Sequence, residues 1–472
     1  MKRRSFFKNT ALASVGVGVS PILFGNTVNP NINFSKGPER KAKNIIFLVS
    51  DGMSVGTLNM ADLLAQRKLG RSSHWVNLYR NNHLVKRALM DTASANSMVT
   101  DSAAASSSWG GGKRVFNGKL NMGENGEKHA PILQKFKKIG KAVGCVTTVP
   151  ITHATPAGFC VNNISRGNQA EIAEQYLSLR FDVMLGGGLE YFDSSLRKDG
   201  VDLFQRYQQE NYNVAKSKED LGKISPGKQP VLGVFSKSGL PYTIDHINDS
   251  DLQKNIPSLA EMTNFAIDRM KSNENGFVLQ VEGGRVDWAA HGNDIGGLLY
   301  DQLAFDDAVK VALDFADKRE DTLVIITTDH GNSNPGLLYG KNADNNFDKL
   351  QVFKHSNDWI LTGLSNTSSK KEIIERIEYA QGIVFNDDEA KVIFDHIHLL
   401  EEADFNNSYK LPFEKLAQLQ KKHTNIGWAG MVHSADFVEL AMLGAGSEML
   451  PSFVKNTDLH NFMLVAAGVL TE

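Results

Sequence analysis

The chain has 472 residues, 41% hydrophobic and 22% charged, the balance of an ordinary packed protein, which excludes a disordered or fibrous polymer. Its 51 basic and 53 acidic residues leave a formal charge of −2, and no basic block stands out in the body of the chain, so nucleic-acid binding through a broad positive surface is excluded too. Two cysteines, Cys145 and Cys160, cannot make a disulfide scaffold. Cys145 lies in an apolar run, so two reduced core thiols are expected, with a single bridge as the alternative.

In chain order, the first element is a targeting segment. Residues 1–8 are basic, and Ala11 to Phe24 is an apolar stretch of small residues, too short for a membrane span in the mature protein. Arg3-Arg4-Ser5-Phe6-Phe7-Lys8 is similar to a twin-arginine export signal, which a receptor reads. Processing is expected between about Gly25 and Lys36, making 1–36 an export signal and linker and 37–472 a single domain. Without Lys2, Arg3, Arg4 and Lys8 the chain keeps 47 basic against 53 acidic residues, mildly acidic. No later apolar run reaches bilayer length, so an exported, soluble protein is expected, with the periplasm as its compartment.

Asn44 to Ser50 is an apolar run closed by Asp51-Gly52, a buried strand ending in a turn. Similar runs follow at Ala142–Val149, Phe277–Val281, Thr322–Thr328 and Phe437–Leu443. Helical patterns lie between several of them, at Ala170–Arg180, Leu259–Lys271 and Tyr300–Phe315. Buried strands alternating with helices predict an α/β fold, a central, largely parallel sheet with helices on both faces. The stretch from about Asn342 to Thr424 is rich in Lys, Asp, Glu and Asn. Its helical patterns, at Lys370–Gln381 and around Pro412–Lys422, break the strand rhythm, so it is read as an inserted cap region.

Ligands in open α/β sheets bind beyond the carboxyl ends of the strands. Here Asp51 follows the first strand, Glu282 the third, and Asp329-His330 the fourth. Between strands lie His153-Ala154-Thr155 and the pair Asp287 and His291, spaced i, i+4 on a helical turn. Each alone has an ordinary reading, as a helix cap or a surface pair. Together they are a concentration of anions that needs cations. Carboxylate with imidazole suits zinc, and an all-oxygen set suits magnesium. Oxygen ligands are available from Asp51, Thr155 and Glu282, and nitrogen ligands from His291, His330 and a late histidine such as His433.

Met98-Val99-Thr100-Asp101-Ser102, followed by three alanines, reads as a helix start with Ser102 in its first turn, where free N–H groups favour an anion. Ser102 becomes a nucleophile only if its pKa is lowered, which a metal ion does as well as a base. Arg166 offers a two-pronged clamp for phosphate.

These residues resemble the alkaline phosphatase family. Val99 to Ala105 is similar to its nucleophile motif. Asn44 to Gly52, Ala154-Thr155-Pro156 with Arg166, Gln280 to His291, and Thr327 to Gly331 match its other motifs in the family's order. The resemblance covers the chain from Asn44 to the C-terminal helix. It implies that Ser102 is the nucleophile, phosphorylated in a covalent intermediate, and that Arg166 binds two phosphate oxygens. It assigns one zinc to Asp287, His291 and His433, and a second to Asp51, Asp329 and His330 with Ser102. The third ion, magnesium, falls to Asp51, Thr155 and Glu282. His423 competes with His433, which is preferred because it directly precedes the last strand. His153 and Trp288 stand where the best-known bacterial members have Asp and Lys. That combination resembles phosphatases of cold or marine bacteria, and it leaves the identity of the third metal open.

The implied activity is hydrolysis of small phosphate monoesters at alkaline pH by a homodimer. A sulfatase would show Cys or Ser within a Pro- and Arg-containing run, and Ser102-Ala103-Ala104 has neither. Diesterases generally lack the Arg clamp and third site, and a binding protein on the same fold would have lost ligands or the serine. All are present here.

Overall fold

The computed structural model describes residues 37–82 and 84–469. The export signal, its processing point and the linker lie outside the described residues. Fourteen strands are described: β1 (Asn44–Val49), β2 (Lys86–Asp91), β3 (Ala142–Pro150), β4 (Val183–Gly187), β5 (Asn213–Ala215), β6 (Val231–Val234), β7 (Phe277–Glu282), β8 (Thr322–Thr327), β9 (Gly331–Asn332), β10 (Gly336–Leu337), β11 (Ile426–Gly427), β12 (His433–Ser434), β13 (Val438–Gly444) and β14 (Phe453–Lys455). Ten form the main sheet, in the order β14-β2-β13-β8-β1-β7-β3-β4-β6-β5. Every pairing is parallel except those of β13 with β2 and with β8. The expected largely parallel α/β sheet is therefore present.

The five apolar runs read from the sequence are the central strands β1, β3, β7 and β8, and β13 beside them. Buried on both faces, they carry near-continuous apolar sequence, and all six residues of β1 are buried. The unpredicted strands are β2 and the outer strands β4, β5, β6 and β14. They are short, end in glycine, or carry exposed charges such as Lys86 and Arg87, so they lack that signature.

Alternation along β1 divides the core. Ile46 and Leu48 point into one cluster, with the helices Val55–Leu69, Leu259–Met270 and Ile295–Ala316. Ile45, Phe47 and Val49 point into the other, with the helices Ser102–Gly111, Ala154–Cys160 and Asp458–Ala466. Phe47 touches Trp109 and Phe159, each with ring centroids 5.0 Å away, so one β1 side chain seats both helices that carry site residues on that face. The helix expected at Tyr300–Phe315 begins earlier, at Ile295, where Asp294 caps it. Cys145 and Cys160 are buried free thiols with their sulfurs 3.7 Å apart.

Residues 342–424 are helical, and β10 and β11 pair antiparallel where the chain leaves and returns. Among the described residues no helix is long and apolar enough to cross a membrane. The two ends of the described chain meet: Ala42 N donates to Ala466 O at 2.7 Å.

At the amino ends of the central strands, Lys141 Nζ donates to Lys43 O (2.6 Å) and Asn275 O (2.7 Å), tying together the starts of β1, β3 and β7. Burial, with Lys43 nearby, pushes its ammonium down to about 8. A lowered lysine pKa means that the unfolded chain binds the proton more tightly, so the penalty is complete below pH 8 and relieved as pH rises toward 10.5. The neutral amine still donates to both carbonyls. Wild-type protein should therefore gain thermal stability relative to Lys141→Met between pH 8 and 10. A melting-temperature gap that does not move over that range would rule out this linkage.

Candidate metal centre

The site residues sit at strand ends and on the short elements packed beside them. Asp51 follows β1, Glu282 ends β7, and Asp329-His330 follow β8, three neighbouring strands in the centre of the sheet. Ser102 opens the helix Ser102–Gly111, whose cap Asp101 accepts from Ala104 N at 2.9 Å. Thr155 lies in the helix Ala154–Cys160, Asp287 and His291 on the helix Arg285–His291, and His433 on β12, which pairs with β9 just after His330.

Three groups of ligand atoms result, each with all members within 4.8 Å of one another: Asp287, His291 and His433; Asp51, Asp329 and His330; Asp51, His153 and Glu282. Asp51 is shared by the last two. Thr155 Oγ1 reaches Asp51 Oδ2 at 3.3 Å, so it too borders the third group. Ser102 Oγ lies 3.3 Å from His330 Nε2. His433 joins the first group, whereas His423 stacks on Phe385 beside Glu389 within residues 342–424.

The hydrogen bonds define the chemistry of the first group. His291 Nδ1 donates to Met431 O at 2.9 Å and His433 Nδ1 to Thr100 O at 3.0 Å. A carbonyl cannot donate, so both ring protons are fixed on Nδ1 and both Nε2 atoms present lone pairs in the neutral rings. Those lone pairs face each other at 3.1 Å, with Asp287 oxygens 3.4 Å from His291 Nε2 and 3.5 Å from His433 Nε2. A positive charge between them, either a proton held on His433 Nε2 or a metal ion in its place, relieves that repulsion. Burial raises the Asp287 carboxyl, but His291 and His433 outweigh it and hold the group well below the usual carboxylate range. Burial lowers His433, yet Asp287 lifts it to about 9.

The other two groups show the opposite side of the same deficit. Asp51, Glu282, Asp329 and His330 are fully buried. Burial, then Asp329, Asp287 and Glu282, push the Asp51 carboxyl far up, and burial lifts Glu282 to about 7. Asp51 Oδ1, Asp329 Oδ2 and Glu282 Oε1 have no hydrogen-bond partner. Buried carboxylate oxygens left bare fit divalent cations.

Arg166 spans Asp101 and His153: Nη1 donates to Asp101 Oδ2 at 3.1 Å, and Nη2 to His153 Nε2 at 3.0 Å. Burial, reinforced by Arg166, pushes His153 down to about 3, so it is neutral. Trp288 meets the His153 ring edge-on at 6.1 Å. His153 thus offers a ring nitrogen within ligating distance of Asp51 and Glu282.

Four residues support the site in ways the sequence did not reveal. Asn332 Nδ2 donates to Asp287 Oδ1 at 2.7 Å, Thr147 donates to Glu282, and Asp101 holds Arg166. Gly52 is needed for close approach: at φ 66° its missing Cβ would lie 2.5 Å from Asp287 Oδ1. Gly52, in a strand-end Asp-Gly, and Asp101, at a helix start, carried a sequence signal. The others are ordinary polar residues whose partners lie far along the chain.

Carboxylate–imidazole groups converging at the carboxyl ends of a parallel sheet define a metal-dependent α/β enzyme. A family model described as alkaline phosphatase matches residues 42–469. Alkaline phosphatase 4 of Bacillus subtilis (strain 168) is 30% identical over 479 residues, covering 98% of each chain. The crystal structure of Thermus thermophilus alkaline phosphatase aligns with a TM-score of 0.85 at 31% identity, covering 93% of this chain and 94% of that one. A TAB5 alkaline phosphatase mutant, His to Asp, with Mg bound in the M3 site, shares the fold with a TM-score of 0.65 at 20% identity, over 92% and 99% of the chains. The chain belongs to the alkaline phosphatase family and is a phosphatase, a metal-dependent hydrolase of phosphate monoesters.

Proposed function

We propose that the chain hydrolyses small phosphate monoesters at alkaline pH through a phosphoserine at Ser102, with two zinc ions and one magnesium ion. The paired lone pairs of His291 and His433, locked by their Nδ1 bonds, carry the metal reading. One zinc would be held by Asp287, His291 and His433, the other by Asp51, Asp329, His330 and Ser102. Magnesium would be held by Asp51, Thr155 and Glu282. When bound, these cations supply positive charge to the phosphoryl oxygens and acidify the attacking oxygens.

The chain's own residues do the rest. Ser102, buried at a helix start, is held toward one fixed position. Arg166, its two amines braced by Asp101 and His153, presents a planar fork to two phosphoryl oxygens once substrate displaces the His153 contact. Ser102 Oγ loses its proton and bonds to phosphorus as the ester oxygen leaves and takes up a proton. Water then attacks from the opposite side, restores the Ser102 hydroxyl and releases inorganic phosphate. Two inversions give retention at phosphorus. The transition state is loose, so positioning and fixed charge supply most of the rate.

Two chains would form the working unit. Val55, Leu89 and Phe437 are exposed together around a groove of about 410 Å³, which also touches Ser54 and Gly331 beside the site, and exposed Phe453 packs against Phe437. An apolar surface next to a polar centre fits a second copy. A single-chain mass at micromolar concentration overturns that assignment.

Ser102→Ala should lose most activity and keep its metal, because three ligands remain at the second zinc group. Near-wild-type turnover by this variant would falsify the covalent route. Arg166→Ala should slow a monoester far more than a diester, since a diester has lost one of the two free oxygens that the fork binds. Equal slowing of both means that Arg166 is not the clamp. His153→Asp should tighten magnesium at the third group, because it replaces a neutral ring with a hard anionic oxygen. Unchanged magnesium affinity by titration calorimetry removes His153 from that role.

A further inference from the structure

Residues 342–424 have no part in the chemistry above, yet they are bonded to the peptide that carries Asp287 and His291. That helix ends at His291, and the chain turns through Asn293, buried and in the left-handed region at φ 46°. Asn293 N donates to Ala290 O and Asp294 N to Ala289 O, each at 2.9 Å, so Asp294 is fastened to the helix it follows. Its side chain is almost fully buried. Oδ1 accepts from Gly297 N at 2.9 Å and caps the helix Ile295–Ala316. Oδ2 accepts from Asn357 N at 2.7 Å and Asp358 N at 3.3 Å, the first amides of the helix Asn357–Thr362. One carboxylate therefore closes two helices and bridges to residues 342–424.

The far side of this joint is stiff. Gln420 Nε2 donates to Asn357 Oδ1 (2.7 Å) and Gln381 Oε1 (2.6 Å), and Gln381 Nε2 donates to Asn357 Oδ1 (2.9 Å). All three residues are buried. They tie the helix Asn357–Thr362 to the helices Lys370–Gln381 and Phe413–Thr424. From Thr424 the chain runs directly through β11 to Met431, whose carbonyl orients His291, and to His433.

The first metal group is thus assembled from two pieces of chain. Asp287 and His291 arrive before residues 342–424, and His433 with Met431 arrives after them. The separation of the pieces depends on how that segment is fastened, and Asp294 is a fastening bond three residues from His291. We propose that Asp294 is a positioning residue for the Asp287–His291–His433 group, through which residues 342–424 hold that group at ligating distance. The proposal rests on the metal reading above. It gives the inserted segment a role in ion retention and leaves the Asp51–Asp329–His330 group outside its reach.

The experiment uses full-length protein and zinc alone, by competition with a chromogenic chelator. The ion of the first group is identified by its loss in His433→Ala. Asp294→Ala should weaken that ion by roughly tenfold to a hundredfold and leave the other unchanged, the range seen when a residue supporting a metal ligand is removed. Asp294→Asn keeps one acceptor oxygen and should fall between. Weakening of both ions together, or of neither, overturns the proposal. Should Asp294→Ala fail to fold, Gln381→Leu attacks the same joint from within the segment, touching neither Asp294 nor the Asp287 helix. It should weaken the same ion selectively, and unchanged zinc affinity in Gln381→Leu overturns the proposal equally. Wild-type protein that binds no zinc at the first group removes the metal reading itself, an outcome distinct from bound zinc indifferent to Asp294.

Discussion

The arrangement depends on carboxylates collected out of water at the ends of three adjacent strands. Asp51, Glu282 and Asp329 are fully buried, and Asp287 nearly so, within contact distance of one another through Asp51 and the histidines. No lysine or arginine reaches Asp51, Glu282 or Asp329 among the described ion pairs, and the one guanidinium at the site, Arg166, is committed to Asp101 and His153. Burying unpaired charge is among the costliest things a fold can do. The protein tolerates it because the counter-charge comes from outside the chain, and the rigidity of the sheet keeps the anions from moving apart. The apolar strands are thus what makes the polar site sustainable: β1, β7 and β8 are buried throughout and cannot shift without exposing their own cores.

The support is unevenly distributed. The group containing Asp51 hangs on strand ends, whose register is fixed by ladders such as Val49 opposite Glu282 and Thr327. The group containing Asp287 hangs on a short helix and a two-residue strand, elements with little strength of their own. Asn332, Met431 and Thr100 compensate with side-chain and carbonyl contacts drawn from three separate stretches of chain.

What the sequence revealed follows from the same physics. Fully buried strands announce themselves as unbroken apolar runs, and the polar residue just beyond each run is the site, so Asp51, Glu282, Asp329 and His330 were legible. The i, i+4 spacing exposed Asp287 with His291. The resemblance to a known family chose His433 over His423, and the structure brings His433 to the first group. Sheet margins were illegible because β5 and β14 are three residues long and β2 has only three apolar residues, set between Lys86-Arg87 and Asp91. Asn332, Thr147 and Asp294 were illegible for another reason. Their importance lies wholly in partners 45, 135 and 63 positions away, and a single chain read in order carries no trace of that.

The meeting of Ala42 with Ala466 has a consequence for how this molecule can be attached to anything else. Both ends of the described chain lie at the amino end of β1, and the strand then runs about 20 Å before Asp51 is reached. A tether, fused partner or solid support joined at either end therefore pulls on the floor of the sheet and leaves its ligand-bearing rim facing away. Because the ends are neighbours, a short peptide could join them and new ends be opened in a surface loop without crossing the metal groups. Orientation on a surface is in this sense built into the topology.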